Sequence, residues 1–263
     1  MQHGGLNIAI AAARRAGRLI VRQLPKRDSI PVTEKANMDF ATEVDRSVEL
    51  EIRRDLRRAF PDHAFLGEET GATGQSRYQW VVDPLDGTSN FIHGIGHFAV
   101  SIALLDRDEP ITGVIFDPLR DELFVAEKGR GALLNDRRLR VSGRRELAGA
   151  MLATGFAPRV RKQLGRQLAI TGGLLAEAED IRRTGSAALD LAYVACGRFD
   201  AYYESGVKPW DIAAGVVLVR EAGGHVGDYR GGQNFVDSGE IVAGNLHLVT
   251  AMQKVVAGLE ARG

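Results

Sequence analysis

The stretch Trp80-Val81-Val82-Asp83-Pro84-Leu85-Asp86-Gly87-Thr88-Ser89-Asn90 decides how the chain reads. An apolar strand ends in an acid, Asp83, and Pro84 then stops the strand from continuing its ladder. Asp86 follows three residues after Asp83, Gly87 frees the backbone to turn, and Thr88 opens a helix. Two carboxylates on one tight turn repel each other unless a cation sits between them. The N–H groups of Gly87 and Thr88, at the head of a helix, suit an anion. A divalent cation beside an anion site is the chemistry of phosphate esters.

Working outward, three more segments bear on this turn. Gly67-Glu68-Glu69 follows the strand-like run Ala64-Phe65-Leu66, with Glu68 lying 15 residues before Asp83. Trp210-Asp211-Ile212-Ala213-Ala214-Gly215 places Asp211 at the start of a helix, where its ordinary role is an N-cap. Thr42 and Asp45 have the spacing of a capping box. Asp83 and Asp86-Gly87 have ordinary turn explanations of their own. Each explanation holds singly; all five acids arranged around Pro84-Leu85-Asp86-Gly87-Thr88 point to a site.

The rest of the chain sets the class. It has 263 residues, 44% of them apolar, with 34 Lys+Arg against 34 Asp+Glu. This length and composition support a large core and exclude disorder as the dominant state, and the zero net charge argues against a polycationic nucleic-acid binder. A single cysteine excludes a disulfide scaffold or a Cys-rich zinc module. No apolar run is long enough to span a membrane, and Arg14, Arg15 and Arg18 interrupt the N-terminal pattern, so neither a span nor a signal peptide is expected. A cytoplasmic protein is the expectation.

Helical spacing predicts helices over about 6–24 and 44–59, the second N-capped by Thr42. Phe98–Leu105, Ile111–Phe116 and Leu123–Ala126 read as strands. Arg137 to Arg145, basic and polar, is the expected boundary between an N-terminal half of about 1–140 and a C-terminal half of about 146–263 within one domain. The second half alternates: helix 160–178, strand Asp180–Arg182, helix Ser186–Cys196, strand Ala201–Tyr203, helix Trp210–Ala222, strands at His225-Val226 and Ile241–Ala243, and helix Leu246–Leu259. Layers of helix and sheet follow. His93 and His97 have the spacing of zinc ligands, but Gly94 and Gly96 interrupt any helix there.

Asp45, Gly67-Glu68-Glu69, Asp83-Pro84-Leu85-Asp86-Gly87-Thr88 and Trp210-Asp211-Ile212-Ala213-Ala214-Gly215 together resemble the signature of the inositol monophosphatase family, over nearly the whole chain. The stretch from Arg182 to Tyr193 is closest to the bacterial SuhB-type members. The resemblance implies an αβαβα sandwich of the inositol monophosphatase and fructose-1,6-bisphosphatase type, a homodimer, lithium sensitivity, and hydrolysis of myo-inositol 1-phosphate or a similar polyol phosphate. It implies two or three Mg2+ ions per site. Glu68, Asp83 and the carbonyl of Leu85 would hold one; Asp83, Asp86 and Asp211 a second; a third, weaker ion would lie near Glu68. Asp45 and Thr88 would orient the attacking water, giving Asp45, Thr88 and Glu68 catalytic roles. Gly87 and Thr88 N–H groups would hold phosphate oxygens.

The resemblance also places Glu204 against the substrate's hydroxyls, Gly185, Ser186 and Ala187 along the sugar side, and Arg182 or Arg183 toward substrate or dimer interface. It places Lys35, in a loop before Asp45, near the third ion. Histidinol phosphate, a sugar bisphosphate or 3′-phosphoadenosine 5′-phosphate are alternative substrates. SuhB-type members imply a role of another class, contact with the transcription machinery, for which Arg182, Arg183 or the 137–145 stretch would serve. A haloacid-dehalogenase-type turn is similar in composition, but its acids are two apart and its first acid is a nucleophile.

Overall fold

The computed structural model describes residues 3–36 and 39–261. In chain order it runs α1 (His3–Gln23), β1 (Val32–Ala36), β2 (Asp39–Thr42), α2 (Glu43–Ala59), β3 (Ala64–Gly67), β4 (Gly71–Thr73), β5 (Tyr78–Asp86) and α3 (Thr88–Ile92). It continues β6 (Ala99–Asp106), β7 (Glu109–Asp117), β8 (Glu122–Glu127), β9 (Gly131–Leu134), β10 (Arg137–Arg138), β11 (Met151–Thr154) and α4 (Leu164–Leu175). The last elements are β12 (Asp180–Arg182), α5 (Ala187–Ala195), β13 (Ala201–Ser205), α6 (Pro209–Glu221), β14 (His225–Gly227), α7 (Phe235–Ser238), β15 (Glu240–Gly244) and α8 (Leu246–Glu260).

Period-two alternation in the central strands separates two hydrophobic faces. Trp80, Val82, Ile102, Leu104, Val114 and Phe116 pack against the apolar stripes of α1 and α2, including Ala9, Ala13, Ile20, Val48 and Ile52. Val81, Ala103, Ile115 and Phe124 face the other way, onto Leu189, Ala192, Ala214 and Leu218 of α5 and α6. These strands belong to an eight-stranded sheet of order β10-β9-β8-β7-β6-β5-β3-β4, antiparallel except for the β3–β5 pair.

A five-stranded sheet of order β12-β11-β13-β15-β14 lies beyond α5 and α6, with Tyr202, Ala153 and Ala243 turned toward them. Its far face, with Leu152, Ala201, Tyr203 and Val242, is covered by Ile170 and Leu174 of α4 and by Leu248 and Met252 of α8. The five layers are therefore helix, sheet, helix, sheet, helix, the expected αβαβα order. α6 approaches the large sheet very closely: a Cβ on Gly113 would lie 2.4 Å from the Ala214 carbonyl oxygen. Only glycine permits that contact.

Asn135 and Asp136 both have positive φ, and Leu134 pairs with Arg137 across them. That is the geometry of a two-residue primed hairpin turn. The expected boundary stretch begins as β10, and residues 139–150 then lead from the first sheet to the second. Helix 160–178 is shorter than predicted. Pro158–Gln163 forms 3-10 turns with a non-helical Val160, and α4 ends at Leu175. The segment read as a loop around Lys35 is instead strand β1, paired antiparallel with β2. Its Lys35 side chain lies outside the described residues. No helix among the described residues is long and apolar enough to cross a membrane.

Candidate active site

A regular strand would send residues three apart to opposite faces. β5 avoids this with an irregularity. Asp83 pairs with Ser101 and Asp86 with Ala99, so three residues of β5 oppose two of β6. The extra residue brings both acids to one side, as a β-bulge does. Asp83 is 2% exposed, and its Oδ1 accepts the Leu85 N–H at 3.0 Å. Gly87 takes φ +98°, and a Cβ there would lie 3.0 Å from the His97 carbonyl oxygen and 3.3 Å from that of Gly185.

Two further elements bring their acids to this turn. The backbone N–H of Glu68 donates to the Val82 carbonyl at 3.2 Å, which continues the β3–β5 register and sets Glu68 beside Asp83. Ser101, opposite Asp83, holds the Trp210 carbonyl at 3.3 Å, so the first turn of α6 is pinned to β6 with Asp211 next in the chain. Asp211 is not the N-cap. It sits two residues inside the helix, and its Oδ2 accepts the Lys208 N–H at 2.7 Å. Pro209 at the first helical position explains the shift, since its fixed φ suits that position and leaves Lys208 as the flanking residue.

The outcome is a crowd of carboxylates. Asp83 is held well above the usual carboxylate range, first by burial and then by the charges of Glu68, Asp86 and Asp211. Asp86 is partly exposed at the turn, yet desolvation by its neighbours pushes its carboxyl up to about 7. It rises despite the Ser186 hydroxyl at 2.5 Å and the Ala188 N–H at 2.7 Å, which both donate to its Oδ2. Glu204 and Glu68 add to the repulsion.

Asp45 and Thr88 meet as well. The Thr88 hydroxyl lies 2.8 Å from Asp45 Oδ1 and 2.9 Å from the Leu85 carbonyl oxygen. Asp45 is fully buried at the third position of α2, and its Oδ2 accepts from both the backbone N–H and the hydroxyl of Thr42. The capping box is real, and it uses one oxygen only. The other faces Thr88. Burial lifts the Asp45 carboxyl while the Thr42 and Thr88 hydrogen bonds pull it down, with burial prevailing.

The substrate candidates divide. Ser186 caps α5 and gives its hydroxyl to Asp86, with Gly185 and Ala187 on either side. Asn90 joins the loops: its Nδ2 donates to the carbonyls of His97 at 2.7 Å and Thr184 at 2.9 Å. Glu204, 9% exposed, accepts from the Tyr202 hydroxyl at 2.7 Å on the same face of β13. Arg182 is on the edge strand β12, exposed and ion-paired with Asp180. Arg183 comes closer to the turn, with Nη1 3.1 Å from where a Gly185 Cβ would sit. Asn90, Tyr202 and Glu49, which accepts the N–H groups of Glu69 and Thr70, were not among the expected site residues.

The donor set fits a hard divalent cation. Every candidate ligand is a carboxylate or carbonyl oxygen, and buried like charges are stable together only with a counter-charge. Among the described residues no three His, Cys, Asp or Glu side chains are gathered closely enough to hold a metal ion between them. Asp83, Asp86 and Asp211 each keep one oxygen on a protein donor, and Mg2+, which usually retains several waters, needs no closed cage.

Known proteins place the chain. The Inositol monophosphatase family model matches residues 1–260. The "Nus factor SuhB" of Xylella fastidiosa is 51% identical over 262 residues, covering 97% of this chain and 95% of that protein. The crystal structure of the extragenic suppressor protein suhB from Bartonella henselae superposes with TM-score 0.92 at 44% identity, over 95% of this chain and 97% of that one. An Anabaena inositol monophosphatase structure gives TM-score 0.87 at 39% identity, over 96% and 95%. Fold, acid cluster and relatives agree, and the chain belongs to the inositol monophosphatase family.

Proposed function

We propose that the chain is a Mg2+-dependent phosphomonoesterase acting on myo-inositol 1-phosphate or a closely similar polyol phosphate, as a cytoplasmic homodimer. The observation that carries this reading is the Thr88 hydroxyl 2.8 Å from Asp45 Oδ1, two residues past the Asp83–Asp86 turn. Glu68, Asp83, Asp86, Asp211 and the Leu85 carbonyl would hold two or three Mg2+ ions. When bound, Mg2+ neutralises the phosphate and leaving-group charge and makes water more acidic.

The chain's own residues do the rest. The Leu85 carbonyl and Asp45 compete for one Thr88 proton, and engaging the carbonyl elsewhere leaves that proton to Asp45. Thr88 Oγ then accepts from the attacking water while donating to Asp45, which orients the oxygen on phosphorus. The water–phosphorus bond forms as the water gives up a proton through Thr88 Oγ toward Asp45, the phosphorus–alkoxide bond breaks, and the alkoxide takes a proton from solvent. Backbone N–H groups of Gly87 and Thr88 hold the non-bridging oxygens. Positioning and electrostatics supply most of the acceleration.

Glu204 would accept a substrate hydroxyl. The Tyr202 hydroxyl fixes its orientation from a fully buried position. Tyr202→Phe should therefore raise KM for the inositol phosphate about tenfold or more, the effect of one lost hydrogen bond to a charged group, with a smaller change in kcat. An unchanged KM in steady-state assays would remove Glu204 from substrate binding. Lithium at tens of millimolar should inhibit; full activity in its presence would separate this chain from its family's usual response.

A rapid-quench experiment tests the mechanism. In 18O-water the label should enter the released phosphate, with no phosphorylated protein at any time. A phosphoryl group trapped on Asp83 would overturn the reading in favour of a nucleophilic carboxylate. The Nus-factor name of its relatives favours a second role, contact with the transcription machinery. Retention of Nus factors or RNA polymerase by both wild type and Asp86→Asn would support it; no retained partner would dismiss it.

A further inference from the structure

The Glu68 turn has an unexplained anchor. Glu49 is fully buried on α2, and its two oxygens accept the next two backbone N–H groups after Glu68: Glu69 N–H to Oε2 and Thr70 N–H to Oε1, both at 2.8 Å. With Glu68 N–H bound to Val82, three consecutive amides of the turn are fixed. The carboxylate lies directly against Gly67: a Cβ there would fall 2.4 Å from the Glu49 carboxyl carbon. Arg46, on the same helix, reaches Glu69 at 3.7 Å.

Glu49 is four residues after Asp45, one turn and about 6 Å along the helix. α2 therefore holds Thr88 through one acid and the Glu68 turn through the other. A carboxylate, with two oxygens and no hydrogen, gives each N–H an acceptor oxygen of its own, where an amide offers one. We propose that Glu49 is a positioning residue: it presets the backbone of the Glu68 turn and so sets the affinity of the site for its divalent cation. This rests on the phosphatase reading, and it assigns Glu49 no contact with substrate or reacting atoms.

The test is calorimetric titration of Mg2+ into metal-free protein, with melting temperature measured in parallel. Glu49→Gln keeps the shape but turns an NH2 group toward one backbone N–H. Gly67→Ala pushes the same carboxylate from the other side. Both should weaken Mg2+ binding about tenfold or more, the usual effect of removing a group that orients a metal ligand. At saturating Mg2+, kcat should be largely kept. Glu51→Gln, the same charge change on a partly exposed residue paired with Arg54, should leave binding unchanged.

A lower melting temperature with wild-type Mg2+ affinity would overturn the proposal, since Glu49 would then be structural only. Should Glu49→Gln fail to fold, Gly67→Ala decides by the same criterion. Asp86→Asn separates the two levels. If it weakens Mg2+ binding and the Glu49 and Gly67 variants do not, this inference alone fails. If wild type binds no Mg2+, the phosphatase reading fails and this inference with it.

Discussion

Asp86→Asn should leave a folded protein with phosphatase activity reduced by at least about a hundredfold, the scale on which removal of preorganised electrostatic groups acts. The fold survives because the asparagine oxygen still accepts from Ser186 and Ala188, which now hold Asp86 at 2.5 and 2.7 Å. The substitution removes one of the crowded charges. Without Mg2+ the variant should therefore melt no lower than wild type. With Mg2+ it should gain less stability than wild type does.

The sign also sets a pH dependence. The Asp86 carboxyl sits at about 7 in the fold against 3.8 for a free side chain, so between those values the folded state binds more protons than the unfolded one. Its contribution therefore destabilises metal-free protein as pH rises through about 7, and that penalty fades on acidification toward 4. Saturating Mg2+ should flatten this dependence. Thermal melts of both proteins across this range, with and without Mg2+, check each part. Unfolding of Asp86→Asn at neutral pH would return Asp86 to a purely structural role.

Thr88→Ala carries the second large effect. The hydroxyl is the link between Asp45 and the attacking water, so kcat should fall by about 10²- to 10⁴-fold, the range for positioned proton transfer. Mg2+ affinity should change little, because Thr88 is not among the expected ligands. Thr88→Ser, which keeps the oxygen, should recover most of the loss. Loss of Mg2+ binding in step with kcat would contradict the division of labour between Thr88 and the acids.

That helices and sheets alternate in layers was legible because the elements carry their own patterns, while the αβαβα order came from the family resemblance. The α2 stripe of Val44, Val48, Ile52 and Leu56 fixes which face of that helix is buried, and the continuous apolar runs of β5 to β8 mark strands buried on both faces. The pairing order of the fifteen strands among the described residues was not legible, since period says nothing about neighbours. β1 was read as loop because five mixed residues carry no alternation strong enough to mark a strand.

In the site, the acids were readable as a group because each sits at a strand end or helix start where it has no packing role. Asp45 shows why single alibis mislead: it caps α2 with one oxygen and meets Thr88 with the other. The bulge that brings Asp83 and Asp86 together was hinted at only by Pro84. Glu49 left a faint signal. An acid one turn after Asp45, beside the apolar stripe, is out of place on a buried face. Tyr202 and Asn90 were hidden because their partners come from elsewhere on the strand or from loops distant in sequence.

The most direct measurement is phosphate release from myo-inositol 1-phosphate at neutral pH by wild type and Asp86→Asn, each with Mg2+ and with EDTA. The account predicts release by wild type with Mg2+, abolished by EDTA and by the substitution, and faster than from histidinol phosphate. Release that persists in EDTA, or that Asp86→Asn retains in full, would contradict it.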